Sequence, residues 1–349
     1  MSYFRPAIDA MHGYVPGEQP KDRVFIKLNT NENPYPPSPM VTQALATADL
    51  SRLNRYPQPT ADAVRQAISE VFGLPMDWIL CGNGSDDILT IAIRSFVDQG
   101  GRIACMDPTY SLYEVLANIQ GAETTLVPLD AHFEIGEELA EKAGDASLLF
   151  LTRPNAPTGN AMPLDTVRAV CRNFAGIVFI DEAYADFAGD SCLELVREFD
   201  NVIVSRTLSK GYSLAGIRFG WAMAQPTLID GMMKVKDSYN VNMLTQLCAE
   251  AAIRDQAYKL ECAQKIIATR TRTVDNLTEK GFEVLPSETN FIFAKPPAPH
   301  DSAVFMTQLR EKGILIRYFK GERTRDYLRI TIGTDDEMDK FFDAISALI

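Results

Sequence analysis

For roughly two hundred residues the chain repeats one arrangement, a short apolar run of strand length followed by a turn and a longer helical stretch, which leaves few folds open. WILC precedes GNGSDDILTIAIRSFVDQGG, RIACMD precedes PTYSLYEVLANIQGA, and SLLFLT precedes RPNAPTG. LDTVRAVCRNFAG then leads into IVFIDEAYADF, and NVIVS leads into RTLSKGYSLAGIRFGW. Strands alternating with helices predict an α/β fold built on a mainly parallel sheet covered on both faces. In such sheets ligands bind beyond the carboxyl ends of the strands. The chemically interesting side chains of this sequence fall at those ends.

The flanks differ. Residues 1–29 show little periodicity and read as an arm, and NTNENPYPPSPM is too rich in proline for a helix or central strand. An amphipathic helix is expected from Val41, a turn at RYPQPT, and a second helix in ADAVRQAISEVFG that stops at Gly73. From residue 239 the character changes to a long helical stretch, then FEVLPSETNFIFAK, another helix, GILIRYF and YLRITIGT. We therefore expect a large domain over 30–238 and a smaller α+β domain over 239–349, with the arm 1–29 packing against the smaller one. At 349 residues the chain is long enough for two cores.

Composition narrows the function. A formal charge of −12 without a basic stripe argues against nucleic acid or an anionic membrane as partner. Anionic small molecules must then be captured by local arginines. The six cysteines form no CxxC pair and suit reduced, buried thiols in a cytoplasmic protein. His12, His132 and His300 lack ligand spacing, so no metal site is expected. The first residues show no signal-peptide pattern, and no apolar run reaches the length of a membrane span.

Lys210 carries the chemistry. It lies between Thr207, Ser209 and an arginine eight positions on, Arg218. That company suits an amine that condenses with the aldehyde of pyridoxal phosphate while its neighbours hold the phosphate. A lone lysine is more often a solvated surface group. Asp181 ends the apolar run GIVFI, where a buried carboxylate needs a cationic partner such as a protonated pyridine nitrogen. Its plainer reading is a helix cap.

Tyr184 and Asn155, near neighbouring strand ends, suit donors to the phenolic oxygen of the same ring, or else a packing tyrosine and a turn asparagine. GNGSDD opens a helix after a strand, so Ser85 and Asp86 offer backbone amides to a phosphate. A glycine-rich turn with an aspartate cap is the alternative. The spacing fits neither GxGxxG nor a P-loop. Tyr110 is placed to stack on a planar ring or to fill the core. In YLRITIG the alternation puts Tyr327, Arg329 and Thr331 on one face, and Arg317 at the end of GILI can converge with Arg329 into an anion-binding fork. Surface arginines are the competing reading. Tyr56 is not placed by these patterns.

Together LNTNENPYPPSP, RYPQPT, GNGSDD, DPTYSLY, RPNAPTGN, IDEAYADF, RTLSKGYSLAGIRFGW, SETNFIFA and YLRITIGT resemble the fold-type I aminotransferases. Over nearly the whole chain the likeness is to the histidinol-phosphate aminotransferase family. This resemblance implies a seven-stranded, mainly parallel sheet and a homodimer in which Tyr56 reaches the partner subunit's cofactor phosphate. It also implies a pyridoxal 5′-phosphate bound covalently to Lys210, paired with Asp181, stacked on Tyr110, and hydrogen bonded by Asn155 and Tyr184. Ser85, Asp86, Thr207, Ser209 and Arg218 would hold its phosphate.

Tyr14, Arg317 and Arg329 match positions used for the anionic end of the substrate, and Asn290 is a further match. The implied reaction exchanges an amino group between glutamate and imidazole acetol phosphate, giving histidinol phosphate and 2-oxoglutarate. One departure is visible: the family carries two adjacent asparagines before PTG, and here the second is Ala156. Threonine-phosphate decarboxylases and broad aromatic aminotransferases share this scaffold, and a non-catalytic ligand sensor would share the fold. A nicotinamide-dependent dehydrogenase would need the glycine fingerprint that is missing.

Overall fold

The computed structural model describes residues 2–20 and 23–349; residues 1, 21 and 22 of the arm lie outside it. In chain order the strands are β1 (Ile26–Leu28), β2 (Ile79–Gly82), β3 (Arg102–Asp107), β4 (Glu123–Pro128), β5 (Leu148–Thr152) and β6 (Ile177–Asp181). They continue as β7 (Val202–Thr207), β8 (Gly220–Ala224), β9 (Glu283–Val284), β10 (Phe291–Lys295), β11 (Ile314–Tyr318) and β12 (Leu328–Thr331). Seven of these form one sheet in the order β2-β8-β7-β6-β5-β3-β4. Only β8 runs against its neighbours.

The two-residue period of a strand divides its side chains between the two faces. Leu149, Leu151, Val178, Ile180, Val202 and Val204 join one core, while Leu148, Phe150, Phe179 and Ile203 join another. On the first face lie helices that include Asp62–Phe72 and Leu164–Asn173. On the second lie Ser85–Phe96 and Leu112–Gln120. Covered on both sides, strands such as LLFLT are buried at every position, each large apolar side chain contributing about 1.5–3 kcal/mol.

Beyond β3 the chain order reverses, since β4 lies to one side of it and β5, β6 and β7 to the other. The ends of β3 and β5 therefore diverge and leave a crevice at the carboxyl edge.

A second sheet has the order β1-β11-β12-β10-β9. Its core joins Phe291, Ile292, Leu328, Ile330 and Phe341, with the long helix Gln256–Glu279 and the helix Asp335–Ser346 against it. The latter helix opens with a capping box, in which Thr334 and Glu337 satisfy each other's backbone amides. Strand β1, from the N-terminal part of the chain, pairs parallel with β11. It thereby draws the loop at residues 29–33 across the edge of the first sheet.

Candidate active site

The crevice opens into a cavity of about 500 Å³. Its walls include the ends of β3, β5, β6 and β7 at Asp107, Thr152, Asp181 and Thr207, together with Arg317 and Arg329 from the second sheet. Ser85, Asp86, Tyr110, Tyr184, Ser209, Lys210, Arg218 and Tyr14 also line it. The alternation rule that placed these groups at strand ends explains why they converge.

At one end, the first turn of the helix Ser85–Phe96 follows Gly84, whose φ of +88° is the left-handed region that suits glycine. Arg218 donates to Asp86 at 3.0 Å, and a Cβ on Gly84 would sit 2.6 Å from Arg218 Nη2. Thr207 Oγ1 donates to Ser209 Oγ at 3.0 Å and accepts from the Ser209 amide at 3.1 Å. Gly220 of β8 lets the helix start approach closely, because a Cβ there would lie 2.5 Å from the Ser85 nitrogen. Helix amides, two hydroxyls and a guanidinium at one spot make an anion cradle.

Asp181 is buried, and burial pushes its carboxyl up to about 6 against three hydrogen bonds that hold it down. Tyr113 donates to Oδ2 at 2.8 Å; Ser205 and the Ala183 amide donate to Oδ1 at 3.3 and 3.2 Å. No cation makes an ion pair with it among the described residues. Lys210 Nζ donates to the carbonyl of Thr30 at 3.2 Å and lies 5.6 Å from the Tyr184 ring centroid. Tyr110 meets Tyr14 and Tyr113 edge to face, with centroids 5.8 and 5.6 Å away. Its hydroxyl donates to Asp86 at 3.3 Å.

At the other end Arg317 and Arg329 are cross-strand partners. Arg317 donates to the carbonyls of Val15 and Pro16, and Arg329 to that of Asn29 at 2.9 Å, so the arm is tied down over the cavity. Among the described residues Arg329 Nε is buried without a partner. Burial, with a smaller contribution from Arg317, pushes the Arg329 guanidinium down, a strain that a bound anion would relieve.

Of the residues not lining this cavity, Tyr56 was expected at the partner subunit's site and Asn155 at this one. Tyr56 is 78 % exposed and stacks on Tyr239 at 4.5 Å, outside its own chain's cavity. Asn155 is buried and lines a neighbouring cavity of about 400 Å³ instead, while Ala156 and Pro157 face the first. Its Nδ2 donates to the Pro108 carbonyl at 2.9 Å and to Thr158 Oγ1 at 2.8 Å, and its Oδ1 accepts from Thr109. Strand periodicity ends at Thr152, so it does not decide which way a side chain three residues later turns.

Sequence reasoning also missed Asn31 and Tyr113. Asn31 sits at φ 54°, accepts from Thr331 Oγ1 at 3.0 Å and from Asn290 at its carbonyl, and donates to Tyr184 Oη at 2.9 Å. An asparagine in a loop, the residue type that tolerates left-handed backbone, was its one signal. Tyr113 lies in the first turn of the helix Leu112–Gln120, three residues after Tyr110, which precedes that helix. The missed strands were β1, β4 and β8.

The chain matches the family model for aminotransferase class I and II over residues 23–345. It is 45% identical over 348 residues to the histidinol-phosphate aminotransferase of Synechocystis, covering 100% of this chain and 99% of that one. To the protein of the same name from Rhodopirellula baltica it is 43% identical, over 96% and 93% of the two chains. Its fold superposes with a TM-score of 0.90 on histidinol-phosphate aminotransferase from Sinorhizobium meliloti in complex with pyridoxal-5′-phosphate, at 26% identity over 100% and 99% of the chains. An anion cradle, a buried carboxylate without a cation and a primary amine in one crevice agree with that match. The chain belongs to the class I and II aminotransferase family.

Proposed function

We propose that this chain is a histidinol-phosphate aminotransferase, exchanging an amino group between L-glutamate and imidazole acetol phosphate with pyridoxal 5′-phosphate held on Lys210. One observation carries the reading: a single cavity holds a primary amine, a carboxylate in need of a cation and three guanidinium groups. The chain around it is 45% identical, end to end, to a protein of that name.

The residues fit the cofactor. Asp181 would take a protonated ring nitrogen, the Ser85–Phe96 helix start with Thr207, Ser209 and Arg218 would take the phosphate, and Tyr110 would cover the ring. When bound, the cofactor supplies a sink for the electron pair left at the substrate's α-carbon. Lys210 Nζ is the group that accepts the α-proton and returns it. Because Asn31 donates to Tyr184 Oη, the proton of Tyr184 is free for an acceptor in the cavity. Asn155 is left out of this set.

Arg329, with its unpartnered Nε, and Arg317 would clamp the anionic end of each substrate in turn. A planar fork accepts carboxylate or phosphate without rebuilding. Tyr14, edge-on to Tyr110, would close the same end.

We take residues 30–238 as the cofactor domain and 239–349 with the arm as the smaller one; the pairing of β1 with β11 supports the arm's place, while the helix Met243–Arg254 packs into the first sheet's core. We further take the enzyme to be a cytoplasmic homodimer. Exposed Leu50, Leu53, Tyr56 and Tyr239 supply an apolar face for a second copy, which would bring Tyr56 to the partner's phosphate. Six buried free cysteines suit a reducing compartment.

The test is to add histidinol phosphate, then 2-oxoglutarate, to cofactor-loaded protein while following its absorption. Two opposite spectral conversions are expected. Faster exchange with phenylalanine and phenylpyruvate, or carbon dioxide release from phosphothreonine, would replace the substrate assignment, and absence of both conversions would overturn it.

A further inference from the structure

On the proposed cofactor site, the structure assigns a gap. The hydrogen-bond donors around the end of β5 are consumed among themselves. Thr109 spends its one proton on Asn155 Oδ1 at 2.8 Å, Tyr113 on Asp181 at 2.8 Å, and Thr158 on Asn160 Oδ1 at 2.5 Å. Thr152 shares its proton with Thr109 or Tyr113, at 3.0 and 2.8 Å. Both amide hydrogens of Asn155 go to Pro108 and Thr158. A hydroxyl has one proton and an amide two, so none is left for the cavity from these groups. Ala156, 6 % exposed, lines the cavity there beside Thr109 and Thr152, and its methyl has no proton to donate.

We infer that, on this side of the ring, the phenolic oxygen of the bound cofactor receives its hydrogen bond from Tyr184 alone, that Asn155 is a positioning residue of the turn, and that position 156 sets how tightly the Lys210 nitrogen holds its proton. The inference rests on the proposed cofactor site and concerns only this chain's residues around it. A donor to the phenolate disperses the negative charge that attracts the neighbouring nitrogen-bound proton. Fewer donors leave that proton more firmly held. The enzyme should therefore enter its working form at a higher pH than a version with an amide at 156.

The experiment loads wild type, Ala156→Asn, Ala156→Ser, Asn155→Ala and Tyr184→Phe with cofactor. It reads the pH midpoint of the absorption change that marks proton loss from the Lys210 nitrogen, with cofactor stoichiometry and thermal unfolding alongside. Ala156→Asn should lower the midpoint by about one pH unit, a tenfold change in proton affinity. Ala156→Ser, the smaller change, should shift it in the same direction, and Tyr184→Phe should raise it. Asn155→Ala should lower the unfolding temperature while leaving the midpoint near wild type. A midpoint raised by Asn155→Ala as far as by Tyr184→Phe, with both position-156 variants unmoved, would overturn the inference. If no variant, nor wild type, shows a lysine-linked absorption, the cofactor site itself fails, a separate result.

Discussion

Asp181 predicts a pH dependence of stability whose size follows from its burial. Its carboxyl lies at about 6 in the folded chain against 3.8 in an exposed reference, and two units correspond to about 3 kcal/mol. For an acid raised on folding, the folded state binds the extra proton, so stability is greatest at low pH. It then falls as pH climbs through the interval from 3.8 to about 6 and is level beyond it. Between about pH 4.5 and about pH 7.5 the wild-type apoprotein should lose about 2 kcal/mol that Asp181→Asn does not lose.

Denaturant unfolding of both proteins at the two pH values measures this. The double difference removes any constant penalty from the amide, such as a poorer bond with Tyr113. Adding pyridoxal phosphate supplies a cation beside the carboxylate and should abolish the wild-type loss. Equal pH dependence in wild type and Asp181→Asn apoproteins would refute the burial argument, and with it the reason this aspartate should seek a ring nitrogen.

Tyr113→Phe removes the 2.8 Å bond to Asp181, worth about 1.5–3 kcal/mol for a charged acceptor, and should deepen the same loss of stability toward neutral pH; an unchanged or shallower profile contradicts it. Gly220→Ala pushes a Cβ against the Ser85 nitrogen at 2.5 Å, so unfolding should show about 1–3 kcal/mol of destabilisation, and cofactor affinity by fluorescence should fall more than tenfold. Wild-type affinity in that variant would separate the helix start from the phosphate. Arg329→Lys keeps the charge but loses the planar fork. Steady-state kinetics should show KM rising about tenfold or more for both glutamate and histidinol phosphate, with kcat less affected. A change confined to one substrate would mean that the two anions use different groups.

The groups that were legible in the sequence sit where periodicity reaches. Asp181 closes an apolar run, Thr207 was marked by its place three residues before Lys210, and parallel pairing carries both to one edge; Arg329 was placed by alternation within a single strand. Asn155 lies beyond the last strand residue, in a turn whose orientation is decided by Pro108 and Thr109 from another segment together with Thr158 of the turn itself. Pattern along the chain cannot report that. The same holds for Asn31, which joins the N-terminal loop to Thr331 and Asn290 some three hundred and two hundred and sixty positions away. Strand β8 escaped because GWAMA is short and follows the lysine segment directly, with only the single 3-10 turn Ala215–Ile217 between it and β7.

The account stands on the nitrogen of Lys210 bonding the cofactor's aldehyde carbon. Reducing the cofactor-loaded protein with borohydride and mapping its peptides by mass tests this most directly. The account predicts one added cofactor, on the peptide that contains Lys210. No added mass there, or an addition confined to another lysine, would contradict it.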